Sequence, residues 1–306
     1  MTERTAPPLV PAPDASHTAL AVDVGGTKMA AGLVDGAGRL RWRHQVPTAG
    51  DGPEGLFATL ADLVALALAE RPDDVAPPEV CGVGCGGPMT AGGATVSPVN
   101  IGAWRGFPLR DRLADRVGLP VAVDNDAKAL VLAEAWVGAG AGARHLLGMV
   151  VSTGVGGGIV LDGRLLDGAA GNAGHIGHVV VEPDGHPCGC GSRGCLEAEA
   201  SGTAIARITG RPAAEAGPDV VTRTGVMVGR AVASVVNLLD VEVALVAGSV
   251  ALGFGAPFFD AAQAELTARA RLDFATGATI APAGLGDEGP LVGAAAVGWR
   301  ALAAGG

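Results

Sequence analysis

The sequence predicts an α/β fold of two lobes, each built on the same strand and hairpin pattern. Three observations carry that expectation. Of the 306 residues 49% are hydrophobic, enough for a packed interior, and chains of this length usually exceed a single core. Both halves open with an apolar strand, a glycine-rich turn and a second strand, then add helices and further strands. The 50 glycines follow no triplet period, so they read as local backbone devices rather than as a collagen-like or low-complexity repeat.

The elements follow in order. Met1 to His17 holds four prolines, two acids and one arginine and has no apolar run, which reads as a disordered tail and not as a signal or transit peptide. Thr18 to Asp23, Met29 to Val34 and Arg39 to Val46 are three short strands separated by Gly turns. Apolar residues at helical spacing mark a helix over Pro53 to Arg71, and Val80 to Gly84 returns to strand. A glycine-rich loop runs to Phe107, then come a helix at Leu109 to Arg116, a strand at Val121 to Val123 and a helix at Ala127 to Val137. The second half repeats the opening with His145 to Ser152, a Gly turn, and Ile159 to Asp162. A Cys, His and Gly segment follows. Helices are expected at Glu197 to Arg207, Val220 to Leu239, Pro257 to Ala270 and from Pro290, with strands at Val243 to Ala247 and Thr279 to Ala281.

Charge narrows the function classes. The chain has 21 Lys and Arg against 31 Asp and Glu, net −10, with no basic run and only scattered tryptophans, so a nucleic-acid partner is not expected. The longest uncharged stretch, Val80 to Trp104, is broken throughout by Gly, Pro, Ser, Thr and Asn, so no membrane span and a cytoplasmic location are expected.

Four constellations could carry chemistry. In Asp23-Val24-Gly25-Gly26-Thr27-Lys28 the glycines allow backbone N–H groups to converge on an anion, and Asp23 ends an apolar strand where a hydrated Mg²⁺ could sit. The plain alternative is an ordinary tight hairpin, and the spacing is not that of a Walker A loop. The second hairpin, Ser152-Thr153-Gly154-Val155-Gly156-Gly157-Gly158, holds the equivalent place in the other half. Paired hairpins account for a triphosphate better than either does alone. Asn125-Asp126 lies where a strand gives way to a helix, a place suited to a catalytic carboxylate in open α/β sheets, although spacing alone favours a helix N-cap. Finally, His178, Cys188, Cys190 and Cys195 form a Cys₃His set suited to closed, structural zinc. A disulfide fits less well in a reducing compartment, with Cys188 and Cys190 too close to pair and one thiol left over. Cys81 and Cys85 read as buried core residues. His175 and Glu197 flank the metal set and are candidates for orienting a polar substrate, although Glu197 also suits a helix first turn and His175 a satisfied loop histidine.

Together the motifs DVGGTK, DNDA, STGVGGG, AGHIGH, CGCGSRGCLEAEASG, AGSV and LVGAA resemble the ROK sugar kinases of the actin-like, ribonuclease H-like ATPase superfamily, from about Ala19 to Ala303. The resemblance implies an N-terminal lobe over 18–126 joined by a C-terminal helix at 290–306, a second lobe over 127–289, and ATP with Mg²⁺ in the cleft between lobes. It implies transfer of the γ-phosphoryl group to a hexose hydroxyl, usually the 6-OH, and a homodimer. Asp126 matches the catalytic base and Asn125 and Asn100 sugar-hydroxyl ligands. Gly25, Gly26 and Thr27 match the first phosphate loop, Asp23 the acid on the Mg²⁺ side, Thr153 and Gly154 the second phosphate loop, and Gly248 with Ser249 the adenosine turn. His178, Cys188, Cys190 and Cys195 match the zinc set, with His178 also near the sugar, and Glu197 matches a sugar-binding acid.

Two departures bear on substrate. Position 175 is His where the glucokinases of that family generally have Glu, and imidazole donates as well as accepts hydrogen bonds, so a different hydroxyl pattern should be favoured. AGHIGH with STGVGGG is similar to bacterial N-acetylmannosamine kinases, which makes N-acetyl-D-mannosamine the expected substrate and glucose the alternative. Gly86-Gly87-Pro88 stands where P-G-P is usual. ROK repressors, which bind sugar without phosphorylating it, carry a winged helix-turn-helix before the first hairpin; the 22 residues before Asp23 are too few and too Pro-rich for one, leaving a non-catalytic sugar binder as a remote alternative.

Overall fold

A computed structural model describes residues 8–305. The chain divides into two compact units, one of residues up to 142 with 167–173 and 285 onward, the other of 143–166 with 174–284.

In the first unit β1 (Thr18–Val24), β2 (Lys28–Asp35) and β3 (Leu40–Pro47) form an antiparallel meander, because each connection is a short turn. Helix α1 (Gly52–Ala69) then carries the chain across to β4 (Val80–Cys85), and α2 (Leu109–Val117) carries it to β5 (Val121–Asn125), so β1, β4 and β5 run parallel. The strand order is β3-β2-β1-β4-β5. All six residues of β4 are buried, as a strand covered on both faces requires. Leu56, Phe57, Leu60, Leu63 and Val64 of α1 join Leu20, Val22, Leu33 and Val83 of the sheet and the buried Trp104 in one core. Helix α1 is long and apolar enough to cross a membrane by length and composition, and that core contact accounts for its apolar face. Helices α3 (Asp126–Val137) and the last helix, α9 (Gly289–Gly305), pack against each other and against β4. A Cβ on Gly82 would overlap the Ala294 carbonyl oxygen, so only glycine lets α9 lie this close to β4.

The second unit repeats the plan. Strands β6 (Leu146–Val151), β7 (Val155–Leu161) and the short β8 (Arg164–Leu165) are antiparallel, β9 (Val243–Ala247) and β10 (Thr279–Pro282) continue parallel to β6, and the order is β10-β9-β6-β7-β8. Its helices are α4 (Leu196–Ala200), α5 (Gly202–Thr209), α6 (Pro218–Leu239), α7 (Ser249–Phe254) and α8 (Ala256–Arg269). The matching strand orders are the duplication that the two halves of the sequence suggested.

Four expectations are corrected. The break between units falls at 142/143 and not at 126/127, because Leu130, Val131 and Leu132 of α3 are buried against the first unit. Residues 167–173 also belong there, held by Lys128 Nζ to Asp167 Oδ1 (2.7 Å) and Gly171 O (3.3 Å) and by Asn172 Nδ2 to Met89 O (3.3 Å). The helix expected over Glu197 to Arg207 is two: Ser201 is extended (φ −72°, ψ 157°), and its hydroxyl accepts from Ala204 N to cap α5. The expected tail to His17 lies outside the described residues over 1–7, but 8–17 is fixed to the first unit: Val10 is buried and Gly36 N donates to His17 O at 3.0 Å.

Candidate functional site

In the first unit the parallel register places Asp23 beside Gly84, and Gly84 beside Asp124, at the C-terminal ends of β1, β4 and β5. A Cβ on Gly84 would stand 3.7 Å from both Asp126 Cα and Asp23 Oδ1, so the Asp126 backbone and the Asp23 carboxylate flank the same small residue. Burial and then the Asp126 charge push the Asp23 carboxyl up to about 7, against the opposing pull of Lys28. The buried Cys85 thiol is driven well above its ordinary value by burial and then by both acids. Asp126 itself is exposed at the start of α3.

The first hairpin projects Gly26 and Thr27 into the open, closed by Gly25 N to Lys28 O (3.0 Å) and steadied by Thr48 Oγ1 donating to Gly25 O (2.7 Å). A Cβ on Gly26 would lie 2.6 Å from Asn100 Cβ, so the candidate sugar ligand rests directly on the candidate phosphate turn. Arg105 fixes the loop that carries Asn100, its Nη1 donating to the carbonyls of Pro98 (2.8 Å), Ile101 (3.0 Å) and Trp104 (2.7 Å). Asn125 is the N-cap of α3, its Oδ1 accepting from Ala127 N at 3.0 Å.

The second unit brings together the remaining candidates. The turn Thr153-Gly154 joins β6 to β7, and Gly248 (φ 100°) follows β9, the parallel neighbour of β6. Ser152 Oγ and Ser249 Oγ are 3.0 Å apart, which sets the hairpin beside the proposed adenosine turn. Glu197 Oε2 accepts from Val155 N at 2.9 Å. His175 and His178 are both exposed, with ring centroids 6.2 Å apart, around a 3₁₀ turn over Ile176–His178.

The ligand atoms of His178, Cys188, Cys190 and Cys195 all lie within 4.8 Å of one another. Cys190 Sγ to Cys195 Sγ is 3.8 Å and Cys188 Sγ to His178 Nδ1 is 3.7 Å. Tetrahedral zinc with sulfur at about 2.3 Å spaces its ligands by about 3.8 Å, so the donor set fits that ion. Burial and the two neighbouring thiols push Cys195 to about 12, a proton that a bound cation would replace.

Three supporting residues escape the motif reading. Lys128, buried two positions after Asp126, is paired with Asp124 at 2.9 Å and Asp167 at 2.7 Å. Glu199 is fully buried below the cysteine loop, accepting from His186 N and Arg223 Nη2, both at 2.5 Å. Arg105 is the third. A charged residue inside an otherwise apolar stretch, as in DNDAKALVLAE and CLEAEAS, is the signal that marks the first two.

Among curated relatives, a glucokinase from Halalkalibacterium halodurans is 43% identical over 192 residues, 61% of this chain and 57% of the relative. The chain thus spans under two thirds of that protein's length. An N-acetylmannosamine kinase from Yersinia pseudotuberculosis is 38% identical over 252 residues, 77% of this chain and 84% of the relative. Among solved structures, a ROK family glucokinase from Streptomyces griseus in complex with glucose and AMPPNP matches with a TM-score of 0.80 at 32% identity, covering 92% of this chain and 99% of that one. The α/β architecture of two five-stranded mixed sheets is therefore that of the ROK sugar kinases, the actin-like ATPase fold. Residues 19–300 match the ROK family as a whole, and the chain belongs to the ROK family.

Proposed function

We propose that the protein is an ATP-dependent kinase that phosphorylates the 6-hydroxyl of N-acetyl-D-mannosamine, with glucose as the second reading. The observation that carries the kinase reading is the exposed Asp126 carboxylate at the end of β5, beside Asp23 and one strand away from the Gly25 to Thr27 hairpin. In this reading Asp126 accepts the proton of the sugar 6-OH as its oxygen attacks the γ-phosphorus. Such general-base help is worth about 10²–10⁴-fold, and the rest comes from in-line placement and charge neutralisation. The amides of Gly25, Gly26 and Thr27 and of Thr153 and Gly154 bind the phosphates, and Gly248 with Ser249 receives the adenosine. Mg²⁺, when bound, supplies further neutralisation, and Asp23 is the group that would hold it on the first unit. Asn100, Glu197, His175 and His178 position the sugar. Asn125 joins them through its amide N–H₂, since its oxygen is committed to the cap. His178, Cys188, Cys190 and Cys195 hold structural zinc.

His175 is the feature that favours N-acetylmannosamine, while the 43% identity to a glucokinase favours glucose. A coupled assay of ADP release across a panel of hexoses and amino sugars tests both. The highest kcat/KM should fall on N-acetylmannosamine; a higher value for glucose selects the second reading, and no ADP release with any sugar leaves the non-catalytic binder.

A further inference from the structure

The second hairpin is gripped by the segment that follows the last cysteine. Glu197, in the first turn of α4, accepts the Val155 N–H on Oε2 at 2.9 Å. Gly202 N donates to Ser152 O at 2.7 Å, and Thr203 donates to Thr153 O from both its N (3.3 Å) and its Oγ1 (2.9 Å). A Cβ on Gly154 would lie 2.8 Å from Glu197 Oε2, so the carboxylate covers the face of the turn that a side chain would otherwise fill. From the other side, a Cβ on Gly177 would overlap the Val155 carbonyl, which seats the 3₁₀ turn bearing His178 against the same residue. The backbone of Ser152 to Val155 is thus held by groups flanking His178 and Cys195, and the one charged group among those contacts is Glu197.

We propose that Glu197 is a positioning residue for the phosphate-binding hairpin as well as a sugar ligand. One carboxylate oxygen, Oε2, fixes the turn through Val155 N–H, which leaves Oε1 as the oxygen to meet a sugar hydroxyl. A sugar held on Oε1 restrains Oε2 and hence the turn, so sugar and nucleotide strengthen each other's binding, by the same factor in each direction. The inference rests on the reading of Thr153 and Gly154 as phosphate ligands, but its first test does not need turnover.

Amide hydrogen exchange at Val155 in the absence of ligands reads the hairpin directly. Exchange should be about tenfold faster in Glu197→Ala than in the unsubstituted protein, and close to unchanged in Glu197→Gln, whose amide oxygen still accepts the bond. Equal exchange in all three overturns the proposal. The affinity for AMPPNP, titrated calorimetrically without sugar, should fall about tenfold in Glu197→Ala and stay within about threefold in Glu197→Gln. Loss of sugar affinity alone, with AMPPNP binding intact, makes Glu197 a sugar ligand only. If Glu197→Ala does not fold, Thr203→Val, which removes the donor to Thr153 O from an exposed position, should weaken AMPPNP binding about threefold without touching a sugar ligand, and an unchanged affinity counts against the grip. If the unsubstituted protein does not bind AMPPNP at all, the kinase reading fails, while the Val155 exchange result still decides whether Glu197 holds the turn.

Discussion

Asp23 and Asp126 flank Gly84, and burial, with the Asp126 charge added to it, holds the Asp23 carboxyl at about 7, far above its ordinary 3.8. In Mg²⁺-free protein the folded state therefore keeps a proton that the unfolded chain has already released between those two values. The stabilisation is full below about pH 4 and is lost as pH rises to about 7. Thermal unfolding midpoints measured from about pH 4.5 to 8 should show the unsubstituted protein losing stability relative to Asp23→Asn as pH rises. A difference that does not vary with pH would mean Asp23 is an ordinary carboxylate.

Replacing the proposed base separates chemistry from binding. Asp126→Asn should reduce kcat by at least about 10²-fold while AMPPNP still binds, because the hairpins proposed to hold phosphate are untouched. The same substitution removes a charge that raises Asp23, so it should also lower the pH window described above. Near-normal kcat in this variant would assign the proton to another group.

Metal analysis of purified protein should give about one zinc per chain. A Cys190→Ser variant should lose most of it and unfold at a lower temperature, since a structural ion contributes directly to folding. Protein that folds normally with no metal would leave the four clustered donors without a zinc role.

His175→Glu should shift the kcat/KM ratio toward glucose over N-acetylmannosamine by about tenfold or more, since a carboxylate only accepts where imidazole can also donate. An unchanged ratio removes His175 from the determinants of specificity.

Gly82→Ala tests the fold instead of the site. Its methyl group would meet the Ala294 carbonyl on α9, and the cost should be about 3 kcal/mol, seen as a lower denaturant midpoint with the same slope. A change within about 0.5 kcal/mol would mean that α9 moves aside easily.

All strands but the two-residue β8, and most helices, were legible because their apolar periodicity and Gly turns are local signals. The duplication was legible for the same reason: each half announces its hairpin. What the sequence obscured is long-range. Ala127 to Val137 reads as the opening of a second lobe, and only its packing on α9, far along the chain, assigns it to the first unit. Glu197 to Arg207 reads as one helix because the extended geometry of Ser201 follows from the hairpin beside it, where Gly202 donates to Ser152 O. The site candidates were visible as motifs, but Lys128 and Glu199 also act through Asp167 and Arg223, 39 and 24 positions away, which no local spacing reveals.

The return of α9 to the first unit has a consequence during synthesis. Strands β1, β4 and β5 emerge from the ribosome with the face that α9 will cover still bare, including Gly82 and the neighbouring buried residues. All of the second unit, residues 143–166 and 174–284, is made before α9 appears. The first unit can therefore complete its packing only once α9 has been made, so the usual order, in which the N-terminal domain finishes folding before the next is synthesised, does not apply to this chain.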